Sequence, residues 1–324
     1  MRFSIFVPTF KRPELLRRNL EALALQTRRP DEILISLRPD EDAKGVATVD
    51  AFRKANPDLA VVPVMLHEKG IVVAENALLE AATGDVACLL DDDAIPRPFW
   101  LENLARHYER DARIGGVAGP AINVLDGKSE EKRARFRNRV IFPGMILDQS
   151  TRHTERVCRV DHYRGANMSL RIDALRAQGG FESRLLGDCF RFELDACMGV
   201  AGQGYRLLFD PEVEADHHEA PRGGGNQERF VAATIRNNAA NETFVFLKHY
   251  RSAPARWAHL AFAFLVGNFP CPGLAWAAGG SVLRIFWRNR NLLGVGALLP
   301  AWRGRLHGRR MHREMLAARG TVAR

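Results

Sequence analysis

Lysine disappears from the chain after Lys248, and from Arg251 to Arg324 the only acid is Glu314. That stretch holds twelve arginines, a net charge of +11, which leaves −2 on the preceding 250 residues of a chain whose total is +9. The basicity therefore belongs to the C-terminal segment and not to the body before it, and one-signed charge of this kind seeks a polyanion. Cysteine is scarce as well: Cys88, Cys158, Cys189, Cys197 and Cys271 are odd in number, scattered and without a C-x-x-C spacing. A disulfide framework and the common zinc and redox motifs are thereby excluded, and the thiols read as reduced, as in a cytosolic protein. No run is apolar for the roughly 20 residues that cross a bilayer as a helix, because GNFPCPG at Gly267 to Gly273 separates Ala258–Val266 from Leu274–Leu283. The opening RFSIFVPTF stops at Pro8, short of a signal peptide's apolar region and without its cleavage site, so it reads as a strand. There is no G-x-S-x-G nucleophile motif, and FVPTFKRPE is not the Gly-rich basic loop of a nucleotidyltransferase.

What the chain does have is a globular composition, 46% hydrophobic and 26% charged, over 324 residues with no low-complexity linker. A catalytic unit with an appended segment is expected. Strand-like runs at 2–7, 32–37 (EILISL), 60–66 (AVVPVML) and 86–90 (VACLL) alternate with helical patterns after Pro13, at 43–55 and at 72–82. Leu15, Leu16, Leu20 and Leu23 form the apolar face of the first helix. The alternation predicts an α/β fold with a mainly parallel central sheet flanked by helices and a C-terminal helical extension. Residues 121–160 read as an irregular, charged excursion, and order returns with YRGANMSLR, a helix over 192–203 and the strand YRLLFDP. The expected organisation is a nucleotide-binding half at 1–120, an acceptor-binding half at 121–227 continuous with it, and a helical basic segment at 228–324.

In open sheets of this type ligands bind beyond the carboxyl ends of the strands, which is where LLDDDAIP puts Asp91, Asp92 and Asp93. Three adjacent carboxylates repel unless solvent or a cation relieves them, and hard Mg2+ or Mn2+ prefers such oxygens and bridges to diphosphate. Alternate side chains of an extended segment share a side, which pairs Asp91 with Asp93. A solvated turn is the bland reading of the same residues.

Together with these acids, several stretches resemble the family-2 glycosyltransferases of the GT-A fold: FVPTFKRPELLRRNLEALALQTRRPDEILIS, GIVVAENALLEAATGDVACLLDDDAIPRPFWLENL, GANMSLR, GGFES and GYRLLFDPEVEADHH. The resemblance covers most of the first 220 residues and rests on order and spacing more than on any one piece. It implies a nucleotide pocket lined by Pro8 and Thr9, with the Asp91–Asp93 pair, Asp92 among it, forming the DxD motif for a metal and the donor diphosphate. It further implies an inverting transfer, with Glu193 as base toward the acceptor, Asp195 in reserve, and His217 of the His217–His218 pair near the metal. Arg222, before three glycines, is a candidate phosphate contact. The acidic pair usual after the second strand is replaced by Ser36, Leu37 and Arg38, which passes base recognition to Asp40 or another group; Glu75 and Gly199 stand where arginines are common.

The expected activity is metal-dependent transfer from a nucleotide diphosphate sugar to a saccharide or lipid-linked acceptor in polysaccharide or glycoconjugate synthesis. Trp257, Trp276, Trp287 and Trp302, interleaved with arginines, suggest helices lying on an anionic membrane, on the cytoplasmic face, with no nucleic-acid partner; an apolar helix pair covering the domain, with solvated arginines behind it, is the bland reading of the same residues. The alternatives are a degenerate, non-enzymatic membrane binder and a nucleotidyltransferase.

Overall fold

The computed structural model describes residues 1–125, 128–129, 138–147, 156–218, 231–275 and 295–322. The first elements follow the predicted alternation: β1 (Phe3–Pro8), α1 (Pro13–Ala24), β2 (Glu32–Leu37), α2 (Ala43–Ala55), β3 (Val61–Met65), α3 (Ile71–Ala81) and β4 (Val86–Leu90). After them come β5 (Ala94–Pro96), α4 (Trp100–Arg110), β6 (Ile114–Ala118), β7 (Ala121–Leu125), β8 (Lys128–Ser129), β9 (Arg139–Ile141), β10 (Met145–Leu147), β11 (Cys158–Val160), β12 (Asn167–Arg171) and α5 (Ile172–Ala177). The further described elements include α6 (Phe192–Ala201), β13 (Arg206–Phe209), β14 (Ala215–His217), α7 (Ala232–His249), α8 (Ala253–Leu265), β15 (Gly267–Asn268), β16 (Cys271–Pro272) and α9 (Leu298–Val322).

Eight strands form the central sheet in the order β11-β13-β6-β12-β4-β1-β2-β3. Strands β4, β1, β2 and β3 pair in parallel, and β12 is antiparallel to both β4 and β6. The sheet is thus mainly parallel, as the α/β alternation implied. Strands β2, β4 and β6 are buried along their length and β1 at all but its last residue, so Phe3, Ile5, Val7, Ile33, Ile35, Cys88 and Leu90 sit in the core with Leu16, Leu20 and Leu23 of α1. A smaller sheet, β5-β14-β7-β8, stands beyond the end of β4. Within it β14 runs antiparallel to β5 and parallel to β7.

The chain divides into two compact units: Met1–Arg139, Asp148–Glu182 and Ala196–Gly223 form one, and Val140–Leu147, Ser183–Asp195 and Gly224–Arg324 the other. Residues 140–147 and 183–195, placed in the acceptor half on sequence, thus cluster with the C-terminal segment, and the division falls inside α6. The second unit is organised by α7, which is buried from Ala239 to Leu247. Helix α9 packs tightly on it because two glycines one turn apart face it. A Cβ at Gly304 would strike the Arg236 carbonyl oxygen, and one at Gly308 that of Ala240. Among the described residues no helix is long and apolar enough to cross a membrane. All five cysteines are free and buried.

Candidate active site

In the first unit the three acids end β4 in a tight turn, not in the extended segment expected: the Ala94 amide donates to the Asp91 carbonyl at 3.0 Å. Asn19 holds that turn from α1, its side-chain amide donating to the carbonyl oxygens of Ala94 (2.7 Å) and Asp91 (3.2 Å). It is fully buried on the same stripe as Leu16, Leu20 and Leu23. The turn still sorts the acids as alternation would. Asp92 goes inward, where Thr9 donates its hydroxyl to Oδ2 at 2.7 Å and Arg12 reaches Oδ1 at 2.9 Å. Burial pushes the Asp92 carboxyl above the ordinary aspartate range, with Arg12 and Thr9 opposing it. Asp91 and Asp93 converge instead with His217, with one ligand atom from each within 4.8 Å of the others.

His217 is brought there by the small sheet. The antiparallel pairing of β14 with β5 sets His217 opposite Ala94, directly after the acids, and the His218 amide donates to the Asp93 carbonyl at 2.8 Å. His217 Nε2 lies 3.2 Å from Asp93 Oδ1, and Nδ1 lies 3.3 Å from Asn123 Oδ1 on β7. Burial favours the neutral imidazole, but the hydrogen bond and charge of Asp93 and the charge of Asp91 outweigh it and raise the pKa. The histidine therefore sits in a field that favours a cation. Arg12 carries the other positive charge, 3.1 Å from Asp93 Oδ2; burial works against its charge, and the acids, Asp92 foremost, more than restore it. Two carboxylates and an imidazole in this field are a donor set suited to Mn2+ or Mg2+.

Asn167, within the GANMS stretch, ties the surrounding segments together. It donates to the carbonyls of Pro120 (3.1 Å) and Val213 (2.8 Å), just ahead of β7 and β14, and accepts from the Trp100 indole at 2.8 Å. Pro8 ends β1 half-buried, and Thr9 is committed to Asp92. Lys11, two residues on, takes a left-handed backbone (φ 56°), with its amide donating to Asp42 at 2.6 Å. Asp40 is exposed beyond β2, 3.1 Å from His67. Gly199 makes room for Gln178, whose amide oxygen occupies the place a Cβ would take, and Glu75 is buried on α3. Arg222 and the glycines after it lie outside the described residues.

In the second unit Glu193 stands half-buried in the first turn of α6. The segment leading to it is held by a polar row on α7 that gave no signal in the sequence. Asn241 exchanges hydrogen bonds with the Leu186 backbone, and Glu242 binds Arg191 at 2.9 and 3.1 Å. Cys189 and Arg191 both adopt positive φ, 55° and 77°, a conformation that non-glycine residues hold only where their surroundings impose it.

Asp195, the residue held in reserve as base, is fully buried, with Lys248 and His249 each 2.8 Å from one of its oxygens. Burial alone would raise its pKa, but the His249 hydrogen bond and the Lys248 charge bring it below the ordinary value. A depressed native pKa contributes stability above the aspartate range that is lost as pH falls through the native value. Asp195→Asn should therefore cost about 3–5 kcal/mol in urea unfolding at neutral pH, the gap closing below about pH 4. A loss under about 1 kcal/mol would show that the three charges do not act as a unit.

Comparison with known proteins follows the same outline. Over 173 residues the chain is 30% identical to the pre-mycofactocin glycosyltransferase of Mycobacterium tuberculosis, a match covering 52% of this chain but only 34% of that protein. It is 24% identical over 233 residues to the glucosyl-dolichyl phosphate glucuronosyltransferase of Haloferax volcanii, covering 67% of this chain and 69% of the relative. Among solved structures, the mannosyltransferase PcManGT from Pyrobaculum calidifontis, in complex with GDP-Man and Mn2+, shares the fold with a TM-score of 0.57 at 19% identity, over 94% of this chain and 87% of that one. The profile of Glycosyl transferase family 2 matches residues 4–173, from β1 through the acid turn to β12, and the chain belongs to that family.

Proposed function

We propose that the protein transfers a sugar from a nucleotide diphosphate sugar to an acceptor hydroxyl with inversion at the anomeric carbon. The convergence of Asp91, Asp93 and His217 beyond β4, inside a family-2 domain, carries this reading. These three residues would hold Mn2+ or Mg2+, which when bound supplies positive charge against the donor diphosphate. The solved neighbour that holds Mn2+ and GDP-Man supports the pairing of such a cation with a nucleotide sugar.

Each residue then has a definite task. Asn19 and the β5–β14 pairing fix the acid turn, so its carboxylates are positioned before the donor arrives. Arg12 sets its positive charge against Asp92 and Asp93. Pro8, Thr9 and Asp40 border the ends of β1 and β2, where the nucleoside would lie, and Arg222 would contact its phosphates. Glu193 takes the proton of the acceptor hydroxyl as that oxygen bonds to the anomeric carbon, and the bond to the diphosphate oxygen breaks with its electron pair leaving on the nucleotide. The strained backbone at Cys189 and Arg191, anchored by Glu242, supports Glu193 in this role.

The finer reading is an acceptor held at an anionic cytoplasmic membrane surface, a saccharide or lipid-linked glycan. The Haloferax relative, named for a glucosyl-dolichyl phosphate, and the arginine-rich segment support it. Calorimetric titration of Mn2+ with and without a nucleoside diphosphate tests the donor site. Cation binding should tighten when the diphosphate is present and be lost in His217→Ala; diphosphate binding indifferent to the cation would contradict the assignment.

A further inference from the structure

Helix α8, APARWAHLAFAFL, carries one charge, Arg256, whose guanidinium is turned to the Tyr250 carbonyl at 2.7 Å. One face is buried through His259, Leu260 and Ala263, yet the opposite face is also apolar: Trp257, Ala261 and Leu265, spaced by four, are all exposed. Trp257 is 60% and Leu265 55% exposed, and Phe269, at the turn between β15 and β16, is 53% exposed. A helix apolar on all sides belongs in a core or against a non-aqueous surface, and this one stands at the surface of its unit.

Helix α9 lies beside it. The Trp302 indole donates to the Phe264 carbonyl at 3.3 Å, and the Arg309 guanidinium stands 5.0 Å from the centre of the Trp257 ring. Next to that seam α9 exposes Leu299, Arg303, Leu306, Arg310 and Arg313, spaced by three and four and so sharing one face on which two leucines are interspersed with three arginines. Leu299 and Leu306 are 56% and 58% exposed. Glu314, the one acid of this segment, is spent on Arg310 at 2.7 Å.

We infer that the joined faces of α8 and α9, with the β15–β16 turn, form a docking surface for an anionic lipid bilayer, on which the apolar side chains enter the headgroup boundary while Arg303, Arg310 and Arg313 meet lipid phosphates. The inference deepens the membrane part of the proposed function and is independent of the donor site. Charge selects the occupant. A second copy packed through the same face would set arginine rows against each other with only Glu314 to answer them. A nucleic acid would leave Trp257, Leu265 and Leu306 without an apolar partner. An anionic bilayer satisfies both kinds of group at once.

Co-sedimentation of the full chain with vesicles tests this surface, using phosphatidylcholine alone and phosphatidylcholine mixed with phosphatidylglycerol. The wild type should pellet with the anionic vesicles and bind neutral ones about tenfold less tightly or worse. Leu265→Asp and Leu306→Asp should each weaken anionic binding by about tenfold while leaving the melting temperature and nucleotide release unchanged. Failure of the wild type to pellet, equal binding by the variants, or a wild-type dimer that either variant dissociates would overturn the inference. Nucleotide release followed in the same preparations keeps the donor reading separate: its presence without vesicle binding removes this surface alone.

Discussion

Asp93→Ala is expected to lower nucleotide release from the donor by roughly a thousandfold, equivalent to about 4 kcal/mol of transition-state stabilisation. Asp93 joins the pieces of the site: one oxygen lies 3.2 Å from His217 and the other 3.1 Å from Arg12. Without it Asp91 and His217 form an incomplete donor set, and charge developing on the diphosphate loses its counterpart. Folding should survive, because the substitution also removes one of three crowded carboxylates and Arg12 keeps Asp92 at 2.9 Å. Turnover and thermal melting measured together therefore separate the site from the scaffold. An unchanged rate, or a rate that falls only as far as the fraction of folded protein, would mean that Asp93 serves the turn and not the donor.

Glu193→Gln has the second large effect, a fall in kcat of about 10²–10⁴ with donor affinity retained, as expected for removal of a general base. The amide preserves shape and hydrogen bonding but cannot accept the hydroxyl proton. Asp195→Asn, two residues away, should do the opposite, weakening the fold through Lys248 and His249. Their different fates follow from α6 itself, since positions two apart point about 200° away from one another. If Glu193→Gln turned over normally while binding donor normally, the base would have to be sought elsewhere.

Sequence patterns carried the framework because each buried strand is a short apolar run and each helix a periodic one. The expected strands at 32–37 and 86–90 and the helix at 43–55 coincide with β2, β4 and α2. The acid triplet was legible for the same reason, since charge directly after VACLL is conspicuous. His217 was nameable only through resemblance, because its place depends on the pairing of β14 with β5 across more than a hundred residues. Arg12 carries no mark in the sequence, because its partner Asp92 lies 80 residues on. Asn19 left a faint mark, a polar residue in the stripe of Leu16, Leu20 and Leu23, where a buried amide must be satisfying something. The polar row of α7 had no such mark. Asn241, Glu242, Lys248 and His249 take on their roles only through the 183–195 segment folded against them. Gly304 and Gly308 likewise gain meaning only from the α7 carbonyls they approach.

The most direct measurement is release of nucleoside diphosphate by the full chain from a panel of nucleotide sugars, in Mn2+, in Mg2+ and in chelator, with a simple sugar acceptor supplied. Release from one nucleotide class, dependent on the cation and giving a product of inverted anomeric configuration, is the predicted result. Release unaffected by chelator, or silence across the panel together with no nucleoside diphosphate binding in Mn2+, would contradict the assignment of Asp91, Asp93 and His217 as a donor site.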